Sequence, residues 1–163
     1  MEATVRLAVA MALTIWLGAA MKADAALISF TVPLSGANEF PAGSGDPDGS
    51  GTANLTIDDV ALTISWNITV SNLDTVILDH IHTGAAGVNG PVIVDFGGQL
   101  VGSGLADADL AAVLANPAGF YVNVHTNTFQ AGAVRGQVPE PGTALLLGAG
   151  LLGLAASTRR RVR

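Results

Sequence analysis

The chain contains no cysteine. That excludes a disulfide framework, a cysteine nucleophile and any thiolate metal site. Positive charge is nearly as scarce in the middle of the chain. Between Ala26 and Val138 there is no lysine and one arginine, Arg135, against ten acids: Glu39, Asp46, Asp48, Asp58, Asp59, Asp74, Asp79, Asp95, Asp107 and Asp109. Ten minus one leaves a formal charge of −9 on that stretch, against −6 for all 163 residues. Nucleic acid and anionic membrane both need a positive surface, so neither is an expected partner. No serine-triad motif, no glycine-rich phosphate loop and no internal repeat is present. A complete catalytic set is therefore missing, and a non-enzymatic module is expected before an enzyme.

The two ends carry most of the long apolar runs. In Met1–Ala25 one positive residue, Arg6, precedes the apolar run Leu7–Ala20 and then "ADA", Ala23–Ala25. Small residues at that spacing are what signal peptidase reads, so residues 1–25 are expected to be a signal peptide cleaved before Ala26. A short retained anchor is the alternative. At the other end, Pro139-Glu140-Pro141 is followed by the apolar run Thr143–Ala156 and by Arg159, Arg160, Arg161 and Arg163. Fourteen residues make a helix of about 21 Å at ~1.5 Å per residue. A bilayer core is roughly 30 Å thick, so the flanks must contribute to a membrane helix, with arginine stems snorkelling. The arginines are expected on the cytoplasmic side. A plain tail anchor satisfies the same physics.

This tail resembles the PEP-CTERM sorting signal of Gram-negative bacteria, in which motif, helix and basic tail stand in that order at the C-terminus. The resemblance implies an exosortase-type partner acting at Pro139, Glu140 and Pro141. It also implies transient membrane anchoring, then transfer to the cell surface or release. The expected organisation is thus 1–25 signal peptide, 26–138 β domain and 139–163 sorting signal.

The middle domain reads as strands. "LISFTVPL" (Leu27–Leu34), "GTANLTI" (Gly51–Ile57), "ALTISWNITV" (Ala61–Val70), "VILDHIH" (Val76–His82), "PVIVDF" (Pro91–Phe96), "FYVNVHT" (Phe120–Thr126) and "AVRGQV" (Ala133–Val138) are rich in β-branched residues and are punctuated by Gly, Pro, Asn and Asp. In the third, Leu62, Ile64, Trp66, Ile68 and Val70 share one parity and are expected to face the core. "LADADLAAVLANPAG" (Leu105–Gly119) has helical spacing at Leu110, Val113 and Leu114, with Asp107 as N-cap and Asn116-Pro117 as stop. The expected fold is all-β: a Greek-key, immunoglobulin-like sandwich of about seven strands with one short helix, flanked by the signal helix and the membrane helix. "GSGDPDGSG" (Gly43–Gly51) starts like a calcium loop, but the twelfth place from Asp46 is Ile57 rather than an acid. It reads as a turn. The sequons at Asn54 and Asn67 lie in strands and carry no argument.

The three histidines fall in two strands: His80 and His82 in "DHIHTGAAGVNGPV", and His125 in "YVNVHTNTFQAGAVRGQ". Alternation puts His80 and His82 on one face and Ile81 on the other. If the strands are neighbours, three imidazoles converge. Imidazole suits copper(II) and zinc, and three histidines with an open position form a known metal arrangement. The alternative is structural. A neutral ring has one donor and one acceptor, and the Gly84–Gly90 loop exposes backbone groups for such rings to hold. Asp79 and Asp95 are further partners within reach. Arg135, with five fixed donors, fits the carbonyls of Gly84–Gly90 or an acid such as Asp79.

"LSGANEFP" (Leu34–Pro41), "SGTANLTI" (Ser50–Ile57), "HIHTGAAGVNGPVIVDF" (His80–Phe96) and "YVNVHTNTFQAGAVRGQ" (Tyr121–Gln137) resemble the CHRD domain, named for chordin. The resemblance covers nearly all of the middle domain. It implies that His80, His82, Asn123, His125, Gly132, Arg135, Gly136 and Gln137 are signature positions, and it brings a fold without a settled activity. Gln130 stands where a proline is usual in that family. The strand H-x-H and the late "VNVH" also resemble copper/zinc superoxide dismutase, although the bridging histidine and the disulfide cysteines have no counterpart. The functional expectation is a secreted, surface-sorted, non-enzymatic module acting in the exopolysaccharide matrix or cell envelope. The alternative is a mononuclear copper or zinc domain using His80, His82 and His125.

Overall fold

The computed structural model describes residues 24–141. The expected signal helix and the expected membrane helix lie outside the described residues. Among the described residues no helix is long and apolar enough to cross a membrane.

Eight strands form the domain: β1 (Leu27–Ser35), β2 (Ser50–Asp58), β3 (Thr63–Ser71), β4 (Val76–Thr83), β5 (Val92–Asp95), β6 (Val101–Ala106), β7 (Phe120–Thr126) and β8 (Val134–Gln137). One short helix, α1 (Leu110–Ala115), lies between β6 and β7. The strands make one sheet in the order β5-β4-β7-β8-β1-β2-β3-β6, and the paired neighbours are antiparallel. The expectation of two separate sheets with about seven strands is corrected here. The halves β5-β4-β7-β8 and β1-β2-β3-β6 are joined where Ser35 pairs with Arg135. The sheet curls about that junction, so both halves give their inner faces to a single core.

The hydrophobic pattern shows why. In β1 Phe30, Val32 and Leu34 are buried, in β2 Ala53, Leu55 and Ile57, and in β3 Ile64, Trp66 and Ile68. Each set has period two, so each strand gives one face to the core. Ile81, Val94, Phe96, Val122, Val124 and Val134 from the other half belong to the same cluster. Trp66 stacks on Phe96 with ring centroids 4.5 Å apart and donates from Nε1 to the Gln99 carbonyl. The expected parity of β3 is therefore the observed one.

The eighth strand, β6, pairs with β3 through a bulge between Ile64 and Trp66. Leu105, which the sequence pattern places in the helix, ends this strand instead. Gly102 makes the approach to β3 possible, since a Cβ there would lie 2.2 Å from the Trp66 ring. The helix is shorter than the expected segment, and its cap position is Asp109, without a side-chain cap bond. Asp107 accepts from the Asp109 amide at 2.9 Å, bracing the turn before the helix rather than capping it.

The two outer faces differ. On β1 and β2 the outer face is exposed and carries short polar pairs such as Thr31 Oγ1 donating to Asn54 Oδ1 at 3.0 Å. On β7 every residue is buried, on both faces. The outer face of β7 and of the adjoining end of β4 is polar yet covered, and it holds the histidines.

Candidate metal centre

β4 and β7 are antiparallel neighbours in the register His80↔Asn123 and His82↔Tyr121, and β8 continues it with Asn123↔Arg135 and Tyr121↔Gln137. The outward parity of β4 therefore places His80 and His82 beside the outward row Tyr121, Asn123 and His125 of β7. The three histidines are 7 %, 9 % and 7 % exposed in chain order. Each offers a ring nitrogen, and these three atoms lie within 4.8 Å of one another.

The other nitrogen of each ring is engaged by an oxygen. His82 Nδ1 donates to the Gly90 carbonyl at 3.0 Å. His125 Nδ1 donates to the Gln130 carbonyl at 3.0 Å. His80 Nε2 faces Asp95 Oδ1 at 3.5 Å. A neutral ring has a single N–H, so these partners leave the lone pairs of His82 Nε2 and His125 Nε2 free. His82 Nε2 is buried with no hydrogen-bond partner. His80 Nδ1 and His125 Nε2 are 3.2 Å apart. When His80 keeps its proton on Nε2 toward Asp95, two lone pairs face each other across that gap. A cation between them relieves the repulsion. A proton moved to His80 Nδ1 does so too.

Burial pushes all three imidazoles below the ordinary histidine value of 6.5. On His80 the charge of His125 acts in the same direction, and Asp95 opposes it. The carbonyl bonds of His82 and His125 oppose the shift without reversing it. The rings are thereby held neutral, the state a metal ligand needs.

The surrounding shell is rigid. His82 stacks on Tyr121 at 4.9 Å with the planes 6° apart, and the Arg135 guanidinium lies 3.4 Å from the Tyr121 ring centre. Arg135, 1 % exposed, donates to Asn89 Oδ1 and to the carbonyls of Ala85 and Val88. Gln137 Nε2 holds the carbonyls of Gly84, Ala118 and Phe120. A guanidinium and an amide thus fix the loop whose Gly90 carbonyl orients His82. Gly136 meets a different need: a Cβ there would lie 2.2 Å from the Pro33 carbonyl oxygen, so β8 could not lie against β1.

Of the two candidate acids near the histidines, Asp95 reaches one and Asp79 does not. Asp79 has the opposite parity and is fully buried. Burial raises its pKa to about 6; the Gly98 and Gln99 amides temper the rise, though neither makes a full hydrogen bond. Sequence reasoning missed Glu39. It is 5 % exposed, lies on the Gly36–Gly49 connection and meets Asn123, whose Nδ2 is 3.5 Å from Glu39 Oε2. Burial raises its pKa to about 7 against the opposing pull of Arg135 and Asn123. The glycines of that connection and of the turn facing it were the available signal: a Cβ on Gly36 or Gly45, or on Gly132 before β8, would strike backbone atoms or Glu39 itself.

Residues 137–161 match the PEP-CTERM protein-sorting motif, which implies recognition by an exosortase-type enzyme. No curated protein and no solved structure matches the chain. Residues 30–138, the curled sheet together with the whole histidine cluster, match the CHRD domain, and the chain belongs to that family.

Proposed function

We propose that this chain is an exported, surface-sorted module whose CHRD domain holds one copper or zinc ion on His80, His82 and His125. The proposed division is residues 1–25 as signal peptide, 26–138 as the working domain and 139–163 as the sorting signal. After sorting, the domain acts in the cell envelope or the surrounding exopolysaccharide, as a binding module rather than an enzyme.

One observation carries the metal reading. Three imidazoles turn one ring nitrogen each toward one another while their remaining nitrogens meet two backbone carbonyls and a carboxylate. Metal-binding histidines are oriented in this way by their second shell. The spacing is suitable on one side. Two nitrogens 3.2 Å apart, each about 2.0 Å from an ion, subtend about 106° at it, near the tetrahedral angle. The widest separation, at most 4.8 Å, must shorten by about 1.5 Å to match tetrahedral zinc. The exposed-acid surface of the domain adds a favourable field for a cation.

The test is a thermal melt of wild type and His82→Ala with and without one equivalent of copper(II) or zinc, with metal content measured after dialysis. The expected outcome is one ion per chain and an upward shift of several degrees in wild type only, larger with copper(II), which nitrogen sites bind more tightly. No retained metal and no shift would leave the histidines as clamps of the Gly84–Gly90 loop.

A further inference from the structure

Three histidines leave a four-coordinate ion with one open position, and the residue beside them has an unmet hydrogen-bonding need. Asn123 is 3 % exposed. It is the cross-strand partner of His80 and lies two residues before His125 on the same face of β7. Opposed side chains on one face of a sheet stand with Cβ atoms about 5 Å apart, so the amide borders the cluster. Its Nδ2 turns to Glu39 Oε2, which leaves Oδ1 buried with no donor. Gly132 packs against both groups, for a Cβ there would lie 2.7 Å from Asn123 Nδ2 and from each Glu39 oxygen. Gly132 thus closes the pair from behind, and with Nδ2 directed at the Glu39 carboxylate, Oδ1 is the end left over. A buried acceptor without a donor costs stability. The cluster as it stands supplies no N–H for it, because the ring protons go to Gly90, Gln130 and Asp95, or to His125.

Resting on the metal reading above, we infer that Asn123 Oδ1 accepts a hydrogen bond from a protic ligand, water or hydroxide, at the open position of the ion. Asn123 is then the residue that sets which small molecules the ion accepts. Ligands that can donate a proton to Oδ1 are favoured. Aprotic anions face a carbonyl lone pair and are disfavoured. Glu39 is a positioning residue that acts through Asn123.

The test uses the full chain in detergent, loaded with one copper(II) per chain, and azide as an aprotic probe read by its charge-transfer absorption. Azide must displace the bound water, and it cannot donate to Oδ1. Asn123→Ala removes the acceptor and is expected to bind azide about fivefold to thirtyfold more tightly than wild type. Asn123→Asp keeps the shape and adds negative charge, so it is expected to bind azide more weakly than wild type. A purely structural asparagine predicts no such opposite response, because loosening of the site changes affinity in the same direction in both variants. Loaded proteins with equal azide affinity, or with both variants shifted in one direction, overturn this inference and leave the metal site standing. Failure of wild type to retain copper overturns both.

Discussion

Replacing Glu39 with glutamine is expected to stabilise the protein at alkaline pH and to leave it nearly unchanged in acid. Glu39 is buried, its Oε1 has no hydrogen-bond partner, and its pKa is raised from 4.5 to about 7 chiefly by burial. The folded state therefore binds a proton that the unfolded state gives up between those two values. Stability from this group is fully present below pH 4.5 and is lost as pH rises through about 7. A rise of that size corresponds to ~3 kcal/mol by which the fold disfavours the carboxylate. Glutamine carries no charge at any pH, so the variant escapes that loss. Urea unfolding at pH 4.5, 6 and 8 measures it, and ~3 kcal/mol amounts to a midpoint rise of about 1–2 M at pH 8 for a small domain. The histidines slope the other way: their folded values lie below 6.5, so both proteins lose stability as pH falls below 6.5. That contribution cancels in the difference between variant and wild type. A pH-independent difference, or a variant less stable than wild type at pH 8, would refute the assignment of Glu39 as an acid whose charge is disfavoured by burial.

Two further outcomes follow from the core and the tail. Trp66→Ala should cost roughly 3–5 kcal/mol in denaturant unfolding, because the indole is 8 % exposed and stacks on Phe96 from the other half of the sheet; a loss under ~1 kcal/mol would mean that the halves do not share one core. Alanines at Pro139, Glu140 and Pro141 should keep the protein in the inner-membrane fraction, and normal surface delivery of that variant would remove the sorting role proposed for the motif.

The parts of the fold legible in the sequence are those set by local alternation. The period-two runs of β1, β2 and β3 needed no knowledge of their partners, and His80 and His82 fall on one face by the same rule. Parity also narrows the choice for Arg135. The sequence leaves it either the Gly84–Gly90 carbonyls or Asp79. In the fold Asp79 faces the core while Arg135 lies on the outer face, so the guanidinium takes the carbonyls of Ala85 and Val88. β6 was illegible because "VGSGLA" owes its place to contact rather than propensity. Its two glycines are poor strand formers, yet any side chain at Gly102 would strike Trp66.

The covering of the histidine face was illegible for a related reason. A polar outer face normally implies solvent, and the sequence of β7 has the same polar-apolar alternation as an ordinary half-exposed strand. What buries Tyr121, Asn123 and His125 is the convergence of distant connections. The Gly36–Gly49 segment is held by the Asp46 amide on the Ala133 carbonyl at 2.9 Å, the Gly84–Gly90 loop is held by Arg135, and the 127–132 turn is tied through Gln130 to His125. The last two ties each spend a polar side chain of the buried face on a loop backbone. Three buried side-chain atoms remain unspent on that face and its cover: Glu39 Oε1, Asn123 Oδ1 and His82 Nε2. Loops could have been tied down by side chains that leave nothing over. The unsatisfied atoms on the histidine face stand together on one face of β4 and β7 and its covering segment, with only the Asp79 oxygens apart from them on the core side, and that grouping is what supports reading this face as a binding site and not merely the clasp of three loops.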